Sequence, residues 1–123
     1  MGPEAKLYKK LIKATPKIVW NRLENLSNVG TPDLLGYNTS GTFFTVELKT
    51  TKGNKIRFSP HQIAFHERHP QNTFILVQAL GPGTIKLFEG RYINELLGEG
   101  FKFQGACSLG LEACRLYLSG LGA

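Results

Sequence analysis

Residues 30–49 constrain this chain more than any other stretch. Gly30-Thr31-Pro32-Asp33-Leu34-Leu35-Gly36-Tyr37 and Phe43-Phe44-Thr45-Val46-Glu47-Leu48-Lys49 are short runs rich in aromatic and β-branched residues. Each is bounded by Gly, Pro or Asn, the punctuation of strands. Asn38-Thr39-Ser40-Gly41-Thr42 between them has the length and composition of a hairpin loop. A hairpin centred on Ser40 sets Asp33 opposite Glu47 and Tyr37 opposite Phe43. Directly opposed residues have Cβ atoms about 5 Å apart. Glu47 and Lys49 share one face of their strand, while Val46 and Leu48 point to the other. Two carboxylates and one ammonium then converge on one patch. Carboxylates that close repel unless a proton or cation lies between them. A hard divalent cation with oxygen ligands, such as Mg²⁺, is the natural occupant. A solvated surface hairpin is the competing reading, and the placement of Asp33 across the hairpin counts against it.

At 123 residues the chain reads as one domain, 1–123, with a modest core. Its net charge of +6 suits a polyanion partner without demanding one. No apolar run approaches the roughly 20 residues that span a bilayer. Met1-Gly2-Pro3-Glu4-Ala5-Lys6 lacks the apolar centre of a signal peptide. The expectation is a cytoplasmic location with no membrane partner. Cys107 and Cys114 stand seven apart. On one helix they would share a side at roughly 10 Å, too far for a disulfide, so two free thiols are expected.

Residues 4–13 read as a helix, with Leu7, Leu11 and Ile12 on one face and Pro3 suited to the first turn. Lys6, Lys9, Lys10 and Lys13 occupy the rest, either as a solvated face or as a phosphate-contacting surface. Glu4 sits where an acid favours the helix dipole. Thr15-Pro16 breaks the helix. Residues 17–26 alternate imperfectly as a first strand, in which Glu24 points towards Asp33 or pairs with Arg22 or a lysine, and 25–29 form a loop. After the hairpin, residues 50–58 make a polar, basic loop, with Lys52, Lys55 and Arg57 beside the acid patch. Ser59-Pro60-His61-Gln62 is a helix start: an N-cap, a proline at the first helical position and a capping-box glutamine. Gln62 thus has a structural task already; its rival task is to face the patch and hold a phosphate or water. The helix stops before Pro70. Residues 72–80 and 84–88 read as strands around Gly81-Pro82-Gly83. A short helix follows over 91–97, then a C-terminal helix over 108–119, with Leu109/Leu116 and Leu111/Leu118 at heptad spacing. The order α-β-β-β-α-β-β-α is that of an α/β core, a central mixed sheet flanked by helices. The core spans about 4–90 and a helical extension about 91–123.

Other chemistry finds little support. His61, His66 and His69 lack the further ligands of a zinc site. No Gly-x-Ser-x-Gly elbow or Walker loop is present. Trp20 and the phenylalanines read as core and not as base-stacking platforms.

The Gly-x-Pro-Asp, Glu-x-Lys and Ser-x-x-Gln pattern, carried here by Gly30-Thr31-Pro32-Asp33, Glu47-Leu48-Lys49 and Ser59-Pro60-His61-Gln62, resembles the PD-(D/E)xK nuclease superfamily. Its compact spacing is most like the virus-type replication-repair nuclease (VRR-NUC) group, over roughly residues 4–80. The resemblance implies a restriction-endonuclease-like core and phosphodiester hydrolysis with Mg²⁺, for which Mn²⁺ substitutes. It carries Asp33, Glu47 and the Leu48 backbone carbonyl over as metal ligands. Lys49 would position the attacking water or stabilise developing charge, and Gln62 would stand on the following helix. Glu4 fits the place of the family's first-helix glutamate, and Glu24 competes for that role. Lys52, Lys55, Arg57, Lys9 and Lys13 would hold the DNA backbone. Stand-alone members are similar to Holliday-junction resolvases, which cut two strands as symmetric dimers. The resemblance therefore implies a structure-selective DNA endonuclease of DNA repair, viral in origin, homodimeric on branched or junction DNA, in the host cytoplasm or nucleoid. A nicking or restriction-type nuclease on other DNA geometries, and a basic nucleic-acid-binding module without catalysis, are the alternatives.

Overall fold

Among the described residues six strands form one mixed sheet in the order β1-β2-β3-β4-β5-β6. This computed structural model describes residues 1–23 and 30–123. The strands are β1 (Val19–Arg22), β2 (Leu34–Tyr37), β3 (Phe43–Thr51), β4 (Thr73–Ala79), β5 (Ile85–Glu89) and β6 (Ser108–Leu109). The helices are α1 (Pro3–Ala14), α2 (Pro60–Arg68), α3 (Ile93–Glu99) and α4 (Leu111–Ser119). β3 and β4 run parallel with α2 as the crossover between them, and the neighbouring pairs on either side are antiparallel. A parallel pair needs such a crossover, and the helix covers the sheet it joins.

Alternation along β3 and β4 builds two cores. Phe44, Val46 and Leu48 join Phe74 and Leu76 on one face, against Leu7 and Leu11 of α1 and Cys114 and Leu118 of α4. Ile75, Val77 and Phe88 face the other way, against Ile93 and Leu96 of α3 and Ile63 of α2. β4 is buried along its whole length, the mark of a strand covered on both faces. Leu7 and Leu11 are fully buried one turn apart, so α1 docks through an i, i+4 stripe.

Several sequence expectations are corrected here. β1 covers Val19–Arg22 and not 17–26. Glu24, the end of the expected strand and the 25–29 loop lie outside the described residues. The C-terminal extension is not purely helical: Ser108–Leu109 pairs with β5, and α4 begins at Leu111 after Gly110, at φ +83°. That left-handed backbone cannot continue a helix from 108. Leu109 and Leu116 are 64% and 58% exposed, so the buried stripe is Cys114/Leu118 instead. The extension completes the core and adds an edge strand to the sheet. The helix expected over 91–97 runs Ile93–Glu99 behind a short 3₁₀ turn. Cys107 precedes β6, outside any helix, where its thiol donates to the Leu87 carbonyl. Both cysteines are free, though not for the helical-spacing reason. Phe44, Phe74 and Phe88 are core, whereas Phe43 is 58% exposed beside Tyr37. Among the described residues no helix is long and apolar enough to cross a membrane.

Candidate active site

The hairpin pairs Leu34 with Val46, Leu35 with Thr45, Gly36 with Phe44 and Tyr37 with Phe43, the register expected from a turn centred on Ser40. Asn38 fixes that turn. Its Oδ1 accepts from Ser40 N and Thr42 N, and its Nδ2 donates to the Leu118 and Leu121 carbonyls. β3 outruns β2, and Asp33 sits just beyond the shorter strand. There its Oδ2 accepts the Leu48 N–H at 2.7 Å, taking the place of a ladder partner. The N–H and C=O of one strand residue project to the same side, so the Leu48 carbonyl also faces this edge.

Glu47 is 3% exposed. Its Oε2 accepts from Gln62 Nε2 at 3.2 Å, and its Oε1 is buried with no hydrogen-bond partner among the described residues. Burial, then the neighbouring Asp33 carboxyl, push its pKa up to about 9 against the pull of Lys49. Lys49 Nζ donates to Gln62 Oε1 at 3.0 Å and stands 5.0 Å from the centre of the Phe58 ring. The same Gln62 oxygen accepts from Ser59 N at 3.0 Å, and Gln62 N donates to Ser59 Oγ at 3.1 Å. The capping task and the site task of Gln62 are thus met by one amide. Gly30, at φ +84°, lets the approach to Asp33 lie against the start of α2, where a Cβ would come within 2.1 Å of the His61 carbonyl oxygen.

Glu4 enters from α1. The residue is exposed as a whole, yet protein around its carboxyl raises its pKa, offset by Lys49 and reinforced by Asp33. It lines a cavity of about 90 Å³ with Arg22, Asp33 and Leu48. It also borders a groove of about 650 Å³ with Lys49, Lys52, Lys55 and Arg57. The structure therefore gathers Asp33, Glu47, Lys49 and Gln62, with Glu4 at the rim and three loop cations beyond it. Lys9 and Lys13 are exposed on α1 and do not line this groove.

Two features escaped sequence reasoning. Phe58 lies under Lys49; its signal was its place directly before the helix cap. Asn54 ties the basic loop down, donating from Nδ2 to the Glu99 carbonyl and accepting at Oδ1 from Lys102 N. The basic loop is therefore anchored at the end of α3. His66 is buried, while His69 is exposed and stacked on Phe65.

Among the described residues no three of His, Cys, Asp and Glu gather to enclose an ion by themselves. A cation here would rest on two carboxylates, a backbone carbonyl and water, a donor set that suits Mg²⁺. The unpartnered buried Oε1 of Glu47 and its pushed-up carboxyl fit such a cation, because a positive charge would answer both. Comparison with family models, curated proteins and solved structures returns no match. The class defined by fold and site is an α/β domain with an acid pair and a lysine on one sheet edge.

Proposed function

We propose that this chain is a Mg²⁺-dependent DNA endonuclease of the PD-(D/E)xK type, with a restriction-endonuclease-like core. The observation that carries the reading is the convergence of Asp33 and a buried, incompletely bonded Glu47 beside Lys49. Asp33, Glu47 and the Leu48 carbonyl would hold the metal, with Glu4 at the rim. When bound, Mg²⁺ or Mn²⁺ lowers the pKa of a bound water and neutralises charge on a scissile phosphate. Lys49 supplies a preorganised cation where negative charge grows. Gln62 locks Glu47 and Lys49 to each other and to the start of α2. Lys52, Lys55 and Arg57 take flanking phosphates, which positions a strand without reading bases. A twofold pair of chains would offer two such sites to two strands of a branched DNA. That arrangement underlies the structure-selective, junction-resolving form of the proposal.

A pure binding module gains nothing from two acids facing a phosphate, since they repel it. Asp33→Asn and Glu47→Gln are expected to abolish Mg²⁺-dependent cleavage of a four-way junction while gel-shift affinity in EDTA is kept or improved. Undiminished cleavage by either variant would refute the site. A wild type that binds but never cleaves junction, flap or duplex would favour the binding module, and equal cutting of all three would remove the junction preference.

A further inference from the structure

Lys49 is held from two sides. Its Nζ donates to Gln62 Oε1 at 3.0 Å, and it stands 5.0 Å from the centre of the Phe58 ring, inside the roughly 6 Å reach of a cation–π contact. The Gln62 oxygen is shared with the Ser59 N–H, so it restrains only one direction of a side chain with four rotatable bonds. The ring supplies the second restraint.

Phe58 has a structural role that must be separated from this one. It precedes the Ser59 N-cap and, like Ile63 four residues inside the cap, packs against the buried cluster that includes Ile56, Ile75 and Val77. These two positions are those of a hydrophobic staple, which accounts for an apolar residue at 58. It does not account for an aromatic one, since leucine would staple as well. A ring also differs from a carboxylate partner. Its quadrupole holds an ammonium without neutralising it, so the charge stays available to a substrate phosphate.

We propose that Phe58 is a positioning residue for Lys49, its ring face confining the ammonium beside the Asp33–Glu47 pair. This rests on the nuclease reading above. It reaches the site through Lys49 and touches neither metal nor substrate itself.

The test replaces Phe58 with mono-, di- and trifluorophenylalanine, which drain the ring face while keeping its shape. We expect kcat for Mg²⁺-dependent DNA cleavage to fall stepwise to a total loss of roughly two- to thirtyfold, the span of a cation–π contact. KM should hold within about twofold, because the contact serves the transition state. Phe58→Leu should match the trifluoro protein in rate, and Phe58→Trp should retain the wild-type rate. Independently of activity, the Lys49 ε-CH₂ protons should show an upfield ring-current shift by NMR that Phe58→Leu removes. A flat kcat across the fluorinated series, or Lys49 ε-CH₂ protons at their random-coil position in the wild type, would overturn the proposal. A wild type that cleaves nothing sinks the nuclease reading, and the ring-current shift then decides alone whether Phe58 holds Lys49.

Discussion

Replacing Glu47 by Gln should make the metal-free protein more stable, although it removes a residue of the proposed active site. The Glu47 carboxyl is almost wholly buried, with one oxygen unpartnered and Asp33 beside it. Its pKa rises from 4.5 to about 9, so without a cation the folded protein holds a proton there that the unfolded chain releases. The linked stability is therefore full below pH 4.5 and is lost as pH rises through about 9. At pH 7 the loss is about 3 kcal/mol, at 1.36 kcal/mol for each pH unit above the unfolded pKa. Glutamine mimics the protonated carboxyl and escapes that loss. In EDTA at pH 7, Glu47→Gln should raise the thermal midpoint by on the order of 10 °C for a domain of this size. It should also flatten the dependence of stability on pH between 5 and 9. Magnesium should reverse the order, stabilising the wild type and leaving the variant unmoved. Apparent Mg²⁺ affinity should climb by up to about tenfold per pH unit across that window, since the metal displaces the proton. Urea denaturation at pH 5, 7 and 9, with EDTA or Mg²⁺, measures all of this. A variant less stable than wild type at pH 9 in EDTA, or a wild type whose stability does not fall with pH there, would refute the reasoning.

Two further predictions concern other parts of the fold. His66 is fully buried with both ring nitrogens unpartnered, and burial, then His69 and Lys49, hold its pKa down at about 4. Its neutral form is the folded one, so stability is lost as pH falls from 6.5 towards 4, by about 3 kcal/mol in all. His66→Leu should remove that acid loss, as read by urea denaturation between pH 4 and 7. Lys52→Ala and Arg57→Ala should each weaken DNA binding and reduce the salt slope of log K by about 0.9, whereas Lys9→Ala, away from the groove, should leave the slope unchanged; fluorescence anisotropy at several salt concentrations checks this.

The hairpin was legible because each signal is local. Turn residues, alternation and loop length fix a register without help from the rest of the chain, and Asp33 and Glu47 follow from that register. The start of α2 was legible for the same reason, as a cap written in four residues. The C-terminal third was not. Ser108–Leu109 is a strand only because β5 offers an edge to pair with, and two residues carry no period of their own. Phe58 reads as one apolar residue in a basic loop until the fold brings the Lys49 side chain over its ring. The burial of Glu47 was also invisible, because it depends on α2 crossing back over β3 to bring Gln62 against it.

The choice of residue at 62 shows how the fold and the site constrain each other. A capping box accepts Glu as readily as Gln at this position, so the helix alone does not select the amide. The site does. Gln62 donates from Nε2 to Glu47, while its single oxygen accepts from both Lys49 and the Ser59 N–H. A glutamate would keep the two acceptor contacts but would lose the donor and set a second acid against the buried Glu47 carboxyl. Gln62→Glu should therefore keep the start of α2, read as unchanged protection of the Ile63 amide in hydrogen exchange. It should also raise the Glu47 pKa further and pull Lys49 away from the phosphate. Mg²⁺-dependent cleavage should fall by at least tenfold at pH 7, with partial recovery at higher pH as the added proton leaves. A Gln62→Glu protein that cleaves as fast as wild type at pH 7 would show that the amide serves the helix alone.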